Sequence, residues 1–168
     1  RVHRRQRQMC IRDRFNVIEH SNKINVDLKN SVILDLFSGS GSFGLEAISR
    51  GAKKCLFVEN YPSALLSLNK NIKNLKCQES SHLNKLDCFK FIKNVQKNEL
   101  KLDIIFLDPP YREERINFII EEILKKKILN KNGIIIVHRH KKDNIKLTEK
   151  LDIIDLRLYG ISKIIFAN

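Results

Sequence analysis

The chain has 168 residues, 42% of them hydrophobic, and its 32 basic and 19 acidic side chains give a formal net charge of +13. This length fits one domain with its own core and one active site. The longest apolar runs, such as residues 133–137, are far shorter than the roughly 20 residues that span a bilayer, so we expect no membrane partner. The charge favours a nucleic acid as partner, with a solvated lysine-rich surface as the alternative.

Residues 1–14 differ from the rest of the chain in their basic side chains. They contain six arginines and no lysine, whereas the other 154 residues contain five arginines and 21 lysines. A foreign segment from sequence assembly explains this switch best, and an arginine-rich RNA-binding arm is the alternative. We therefore expect a foreign segment at 1–14 and the functional domain at 15–168, which keeps a net charge of +8.

After residue 14, short apolar runs alternate with amphipathic stretches, a pattern typical of repeated βαβ units. We predict strands at 32–37, 54–59, 80–86, 102–107 and 133–137. We predict helices at 43–50, 61–75, 88–96 and 114–126. Two β-like runs, 153–158 and 161–166, follow without a helix between them, so they cannot be parallel neighbours. The sequence predicts a doubly wound α/β fold with a mostly parallel seven-stranded sheet, one antiparallel strand and a ligand site at the carboxyl ends.

Four cysteines are spread along the chain without a Cys-x-x-Cys pair: Cys10, Cys55, Cys77 and Cys88. Two of them lie in apolar surroundings typical of a core, and the sequence has no signal-peptide pattern. These observations favour a reducing, cytoplasmic location.

A glycine-rich loop, Asp35-Leu-Phe-Ser-Gly-Ser-Gly-Ser-Phe-Gly44, joins the first predicted strand to its helix. Its Gly-x-Gly-x-x-Gly spacing brings backbone close to a nucleotide-like ligand, without indicating which one. Asp35 suits a cationic amino group and would repel a pyrophosphate, which favours S-adenosylmethionine as cofactor over a dinucleotide. A turn that only packs helix on strand is the alternative. The expected cofactor contacts here are Asp35, Phe37, Ser38, Gly39, Ser40 and Gly41.

Polar residues also follow the next two predicted strands. Glu59, with Asn60 beside it, ends the second strand, where a carboxylate can accept hydrogen bonds from ribose hydroxyls. A solvated residue or a helix cap is the alternative for this glutamate. Asp87 and Cys88 follow the third strand and are candidates for contact with the adenine amino group.

Asp108-Pro109-Pro110-Tyr111 directly follows the predicted strand 102–107. Two prolines fix an extended turn without N–H donors. An exocyclic base amine is a poor nucleophile because its lone pair is conjugated with the ring. The Asp108 carboxylate and the Pro109 carbonyl can each accept one N–H as the nitrogen attacks a sulfonium methyl, and Tyr111 can stack on the base. These four residues are the predicted catalytic set, which requires no metal; an ordinary proline turn is the alternative.

His138 and His140 flank Arg139 after the predicted strand 133–137. Alternate strand residues point the same way, so a two-histidine metal site is geometrically possible, but no third ligand is evident. A basic rim near the substrate entrance is the favoured interpretation. The lysines at 125–127 and 141–142 are predicted to be solvated, with phosphate contact as the alternative.

Taken together, the motifs resemble those of the bacterial 16S ribosomal RNA guanine-N2 methyltransferases. The resemblance covers residues 15–168 and depends on segments 35–51, 57–59, 106–111 and 159–160. It implies a Rossmann-like class I methyltransferase, a monomer that moves a methyl group from S-adenosylmethionine to the N2 amine of one guanine. The implied partner is 16S ribosomal RNA or the small ribosomal subunit particle. Family members carry a different N-terminal segment before Phe15-Asn-Val-Ile18, which implies weaker methylation by this chain.

Three other functions remain open. A nicotinamide-dependent oxidoreductase fits the glycine spacing and Glu59, but not Asp35 or the Pro-Pro turn. A DNA methyltransferase acting on adenine N6 or cytosine N4 would use the same turn, although such enzymes usually need additional mass for target recognition. An RNA-binding domain without catalysis is the third, and the intact Asp108 argues against it.

Overall fold

The computed structural model describes residues 2–168, and their side chains from residue 11 onward. Its strands are β1 (Val32–Leu36), β2 (Lys54–Val58), β3 (Ser81–Asn84), β4 (Leu102–Leu107), β5 (Leu129–His140), β6 (Ile153–Tyr159) and β7 (Ser162–Ala167). Its α-helices are α1 (Val2–His20), α2 (Ser42–Ser49), α3 (Pro62–Asn74), α4 (Cys88–Asn94) and α5 (Ile116–Lys126), with a short 3-10 turn at Gln78–Ser80. Among the described helices, none has the length and hydropathy needed to cross a membrane.

The strands form one sheet in the order β3-β2-β1-β4-β5-β7-β6. All neighbours are parallel except at β7, which is antiparallel to both β5 and β6. The tight connection at Gly160, whose φ is +57°, allows β6 and β7 to pair directly as a hairpin. The predicted mostly parallel sheet with one antiparallel strand is therefore confirmed.

Both faces of the sheet are covered, and β4 contributes to both cores. Ile105 and Leu107 join a cluster that includes α4 and α5, whereas Ile104 and Phe106 join a cluster that includes α1, α2 and α3. This two-sided burial explains why β4 is hydrophobic almost throughout. Because the faces are occupied, the carboxyl edge of the sheet is where the fold leaves room for a ligand.

The extent of β5 differs from the prediction. The strand was expected at 133–137, but it begins at Leu129 and reaches His140. At its start, the register between β4 and β5 shifts between Leu102 and Ile104. This irregularity lets β5 include the polar residues that precede Gly133. At its end, pairing with β7 extends the strand through His138, Arg139 and His140. The prediction was too short because neither partner strand is visible in the local pattern.

Helix α1 was not indicated by the composition of residues 1–14. Farther along it, Phe15 is fully buried and stacks on Phe43 with 4.9 Å between ring centroids, which holds the C-terminal half of α1 against α2. The foreign origin of residues 1–14 stays a prediction. Sequencing the gene from its natural source tests it, since retention of all fourteen codons there would contradict it.

Candidate active site

The site lies where β1 and β4 end side by side. Their register pairs Asp35 with Phe106 and Leu36 with Leu107, and the amide of Asp108 donates to the carbonyl of Leu36 over 3.4 Å. Asp35 is therefore the next-to-last residue of β1, and Asp108 begins the turn that follows β4. Residues that are 73 positions apart share one edge because the two strands run parallel.

Asp35 is a buried carboxylate whose pKa is perturbed. Its side chain is 1% exposed, and Oδ2 accepts a hydrogen bond of 3.1 Å from the amide of Gly44. Burial raises the pKa of this carboxyl well above its ordinary value, and the nearby charge of Asp108 raises it further, while the Gly44 amide and the charge of Arg14 oppose the shift. Such a group is suited to a cationic ligand, which would compensate the buried negative charge.

The loop between β1 and α2 is held in an unusual backbone conformation. Phe37, Gly39 and Gly41 have φ values of 58°, 55° and 80°. The positive φ of Gly41 favours glycine, and an added Cβ would lie 2.4 Å from Leu68 Cδ1, so that side chain would also have to move. The Ser38 hydroxyl donates to the carbonyl of Asp35 over 2.6 Å, which closes the loop against its own strand.

Glu59 anchors the same loop from the neighbouring strand. Its Oε2 accepts from the amide of Gly39 at 2.8 Å, and its Oε1 accepts from the amides of Asn60 and Tyr61, each at 2.9 Å. Three backbone donors thus converge on one carboxylate. In this structure Glu59 ties the glycine loop to the end of β2, while Asn60 is exposed beside it.

Asp87 and Cys88 begin helix α4. Asp87 Oδ1 accepts from the amides of Phe89 and Lys90 at 3.0 and 3.1 Å, which is an N-terminal cap. The Cys88 thiol is buried and accepts from the amide of Phe37 over 3.2 Å, and burial raises its pKa to about 12. The thiol therefore supports the loop rather than providing a reactive thiolate.

A cavity of about 290 Å³ opens beside the glycine loop. Its lining includes part of the predicted cofactor set: Asp35, Phe37, Ser38, Gly39 and Ser40. Ile11 and Arg14 of α1 also line it, and the Arg14 guanidinium lies 5.2 Å from the centroid of Phe106. The other predicted cofactor residues, Gly41, Glu59, Asn60, Asp87 and Cys88, lie outside this lining.

A second cavity, of about 250 Å³, lies on the other side of Asp108. Its walls are Pro109, Tyr111, Ile161, Ser162 and the end of β5, and Tyr111 is 61% exposed. Asp108 and His138 line both cavities. The predicted catalytic turn therefore separates the glycine loop from an open space with an aromatic wall, and Pro110 is exposed outside that space.

Arg139 is buried, so the expectation of a basic rim is wrong for this residue. It is 5% exposed, forms a close ion pair with Asp143, and donates to the carbonyls of Pro110 and Tyr111 at 3.3 and 3.1 Å. Sequence reasoning missed this support for the turn. Its available signal was strand alternation, which puts Arg139 on the same face as Ile135 and Val137, since a charge at a core position requires a partner.

The two histidines beside Arg139 have separate contacts. His138 contacts Asp108, and the His140 ring packs edge-on against Tyr111 with 5.4 Å between centroids. Nδ1 of His140 also accepts from the amide of Lys142 over 3.1 Å. Within the part of the chain whose side chains are described, no cluster of three or more His, Cys, Asp or Glu is arranged for a metal ion.

The sheet order, the antiparallel β7 and the glycine loop after β1 define a Rossmann-like class I methyltransferase fold. A family model described as Conserved hypothetical protein 95 matches residues 9–168, and the chain belongs to this family. The match begins six residues before the expected domain boundary at residue 15.

Similar proteins agree with that assignment. Ribosomal RNA small subunit methyltransferase D of Haemophilus influenzae is 33% identical over 135 residues, which are 80% of this chain and 69% of that protein. The protein of the same name from Buchnera aphidicola of Acyrthosiphon pisum is 38% identical over 70% of this chain and 60% of its own length. A Bacillus subtilis relative is 34% identical over 61% of this chain. Only 56% of that relative is covered, so the chain spans little more than half of some relatives. The resemblance to small-subunit ribosomal RNA methyltransferases is confirmed.

A solved structure has the same fold as this chain. The conserved hypothetical protein of Streptococcus pyogenes is 30% identical to this chain, with a TM-score of 0.74 over 82% of this chain and 86% of that one.

The buried pair of Arg139 and Asp143 gives a test by double-mutant cycle. Burial alone would raise the pKa of Asp143, but the Ile145 amide and Arg139 outweigh it and lower the pKa. Arg139→Met leaves this carboxylate uncompensated, so we expect a loss of about 3–5 kcal/mol in the free energy of unfolding, measured by chemical denaturation at pH 7.

The double variant Arg139→Met, Asp143→Asn should be more stable than Arg139→Met, because the uncompensated charge is gone while an acceptor for the Ile145 amide is kept. Additive losses in the double variant would contradict a coupled pair.

Proposed function

We propose that this chain transfers a methyl group from S-adenosylmethionine to the exocyclic N2 amine of a guanine in small-subunit ribosomal RNA. The observation that carries the proposal is the position of Asp108, whose side chain lines both the glycine-loop cavity and the cavity walled by Tyr111. A methyl donor in the first cavity and a base in the second would meet beside this one carboxylate.

The residues around the first cavity fit S-adenosylmethionine. Asp35 offers a buried carboxylate to the cationic amine of the methionine part, and the backbone around Gly39 allows close approach of a ligand. Asp35 would disfavour the pyrophosphate of a dinucleotide. Glu59 supports the cofactor through the glycine loop that it anchors. Cys88 accepts the amide of Phe37 and so holds the same loop, and Asp87 caps α4, the helix that carries Cys88. When bound, the cofactor supplies an electrophilic sulfonium methyl.

The turn after β4 is suited to hold the base amine. Arg139 binds the carbonyls of Pro110 and Tyr111, so the turn keeps Asp108 and Pro109 at the wall of the second cavity. Asp108 and the Pro109 carbonyl accept the two N–H groups, and the exposed Tyr111 ring provides a stacking surface. With the cofactor bound, the base nitrogen would gain the methyl group and lose one N–H proton, which Asp108 would accept and pass to solvent, while the S–C electron pair would stay on the departing thioether.

Ribosomal RNA is the substrate class that the similarities support. The Haemophilus and Buchnera relatives carry the name of a small-subunit ribosomal RNA methyltransferase. The net charge of +13 agrees with a polyanionic partner. Guanine N2 as the acceptor comes from the family resemblance of segments 35–51 and 106–111. A DNA amino-methyltransferase remains the alternative, because the turn at Asp108 suits any exocyclic base amine.

The proposal is tested with tritium-labelled S-adenosylmethionine and three acceptors: unmethylated small subunits, protein-free small-subunit RNA and duplex DNA. We expect label in the ribosomal acceptors only, recovered as N2-methylguanine after digestion. Asp108→Ala should lower the transfer rate by about 10²–10⁴-fold, since the acceptor for the reacting amine is lost, while binding of S-adenosylhomocysteine is kept. Label in DNA would instead establish the alternative, and label in another ribosomal nucleoside would refute the N2 assignment.

Asp35→Asn separates cofactor binding from stability. Asparagine keeps an acceptor for the Gly44 amide but loses the charge that would bind an amine, so we expect weaker S-adenosylhomocysteine binding by calorimetry. The same change should not destabilise the apo protein at pH 7. Because the folded pKa of Asp35 is raised, its contribution to stability falls as pH rises from the ordinary aspartate pKa towards the folded value, and the variant lacks that dependence. Unchanged affinity would contradict the assigned role.

A further inference from the structure

The catalytic carboxylate proposed above lies in an exposed position. Asp108 follows the last residue of β4, and 45% of its side chain is exposed to solvent. An exposed side chain of this kind rotates among several rotamers unless another group holds it. A reaction that needs one oxygen aimed at a base amine requires such a hold.

His138 is placed to provide it. This residue lies near the end of β5, the strand next to β4, and its Nδ1 is 2.7 Å from Oδ1 of Asp108. The His138 side chain is 22% exposed, so its hydrogen bond is better shielded from water than the carboxylate that it contacts. Only one carboxylate oxygen is engaged by the histidine in this contact.

The other ring nitrogen of His138 is also in contact. Nε2 lies 2.9 Å from Oγ of Ser162, the first residue of β7. With Asp108 ionised, the Nδ1–H group donates to the carboxylate and Nε2 accepts a hydrogen bond from the Ser162 hydroxyl. Because an ionised carboxylate can only accept, Asp108 selects this tautomer, and the Ser162 hydroxyl satisfies the remaining ring nitrogen. Three strands contribute to this line of side chains, because β5 lies between β4 and β7.

We propose that His138 is a positioning residue that holds Oδ1 of Asp108, leaves Oδ2 for the amine of the target base, and is itself held in place by Ser162. This inference rests on the proposed function. It differs from the role of Arg139, which holds the backbone of the same turn through the carbonyls of Pro110 and Tyr111. His138 acts through Asp108, so its loss should slow the chemical step more than it weakens binding.

The kinetic test compares His138→Ala, His138→Asn and Ser162→Ala in single-turnover transfer to small subunits. The asparagine amide nitrogen occupies about the position of histidine Nδ1, so this variant keeps a donor for Asp108. We expect His138→Ala to slow transfer by about 10–100-fold with little change in the apparent affinity for the subunits. His138→Asn should recover most of that loss, and Ser162→Ala should fall between His138→Ala and the unchanged protein.

Two kinetic results would overturn the inference. One is a transfer rate in His138→Ala equal to that of the unchanged protein. The other is a rate in His138→Asn as low as that in His138→Ala although both variants keep their thermal stability, which would show that the donor to Asp108 is irrelevant.

A second readout does not depend on activity. In ¹⁵N-labelled protein, the ring nitrogens of His138 should report the Nδ1–H tautomer, and Asp108→Ala should shift the population towards the other tautomer. The absence of the Nδ1–H tautomer in the unchanged protein would refute the contact itself. If the unchanged protein transfers no label to any nucleic acid, the proposed function fails, while the spectra still decide whether His138 and Asp108 are paired.

Discussion

The parallel pairing of β1 with β4 is the constraint on which the site depends. It places Asp35 and Asp108 at the same carboxyl edge, on adjacent strands, while helices cover both faces of the sheet. Two negative side chains at one edge repel each other, and the charge of Asp108 contributes to the raised pKa of Asp35. A cationic ligand bound between the end of β1 and the glycine loop would reduce this repulsion. The fold therefore favours a ligand that carries a positive charge at this position.

The two carboxylates have different surroundings and therefore different suitable roles. Asp35 is buried and contacts a backbone amide at the start of α2, so it is fixed in place and costly to ionise without a partner. Asp108 is exposed and lies between two cavities, so it can reach a molecule that enters from solvent. Burial suits the first to a resident cation, and access suits the second to a transient substrate.

The sequence predicted the elements that local pattern determines. The apolar run at 102–107 coincides with β4, and the glycine loop lies between β1 and α2 as expected, because buried strands and positive-φ turns leave direct marks in residue type. The turn of Asp108 was likewise predicted at the end of β4. These features need no knowledge of distant residues.

The remaining features depend on side chains that are far apart in sequence. His138 contacts Asp108 from 30 residues away and Ser162 from 24, and neither distance follows from periodicity. Arg139 was predicted to lie at a rim because arginine is usually exposed, but a single carboxylate four residues later makes its burial possible. The oxygens of Glu59 accept three backbone amides that only the folded loop brings together, and the expected contact of Glu59 with a ribose stays a prediction.

The most direct measurement for this account is a crystal structure of the chain with S-adenosylhomocysteine. We expect the ligand to lie in the cavity of the glycine loop, with its amine beside Asp35 and its sulfur directed towards Asp108. A ligand that binds elsewhere, or that lies in this cavity with its amine turned away from Asp35 and its sulfur away from Asp108, would contradict it.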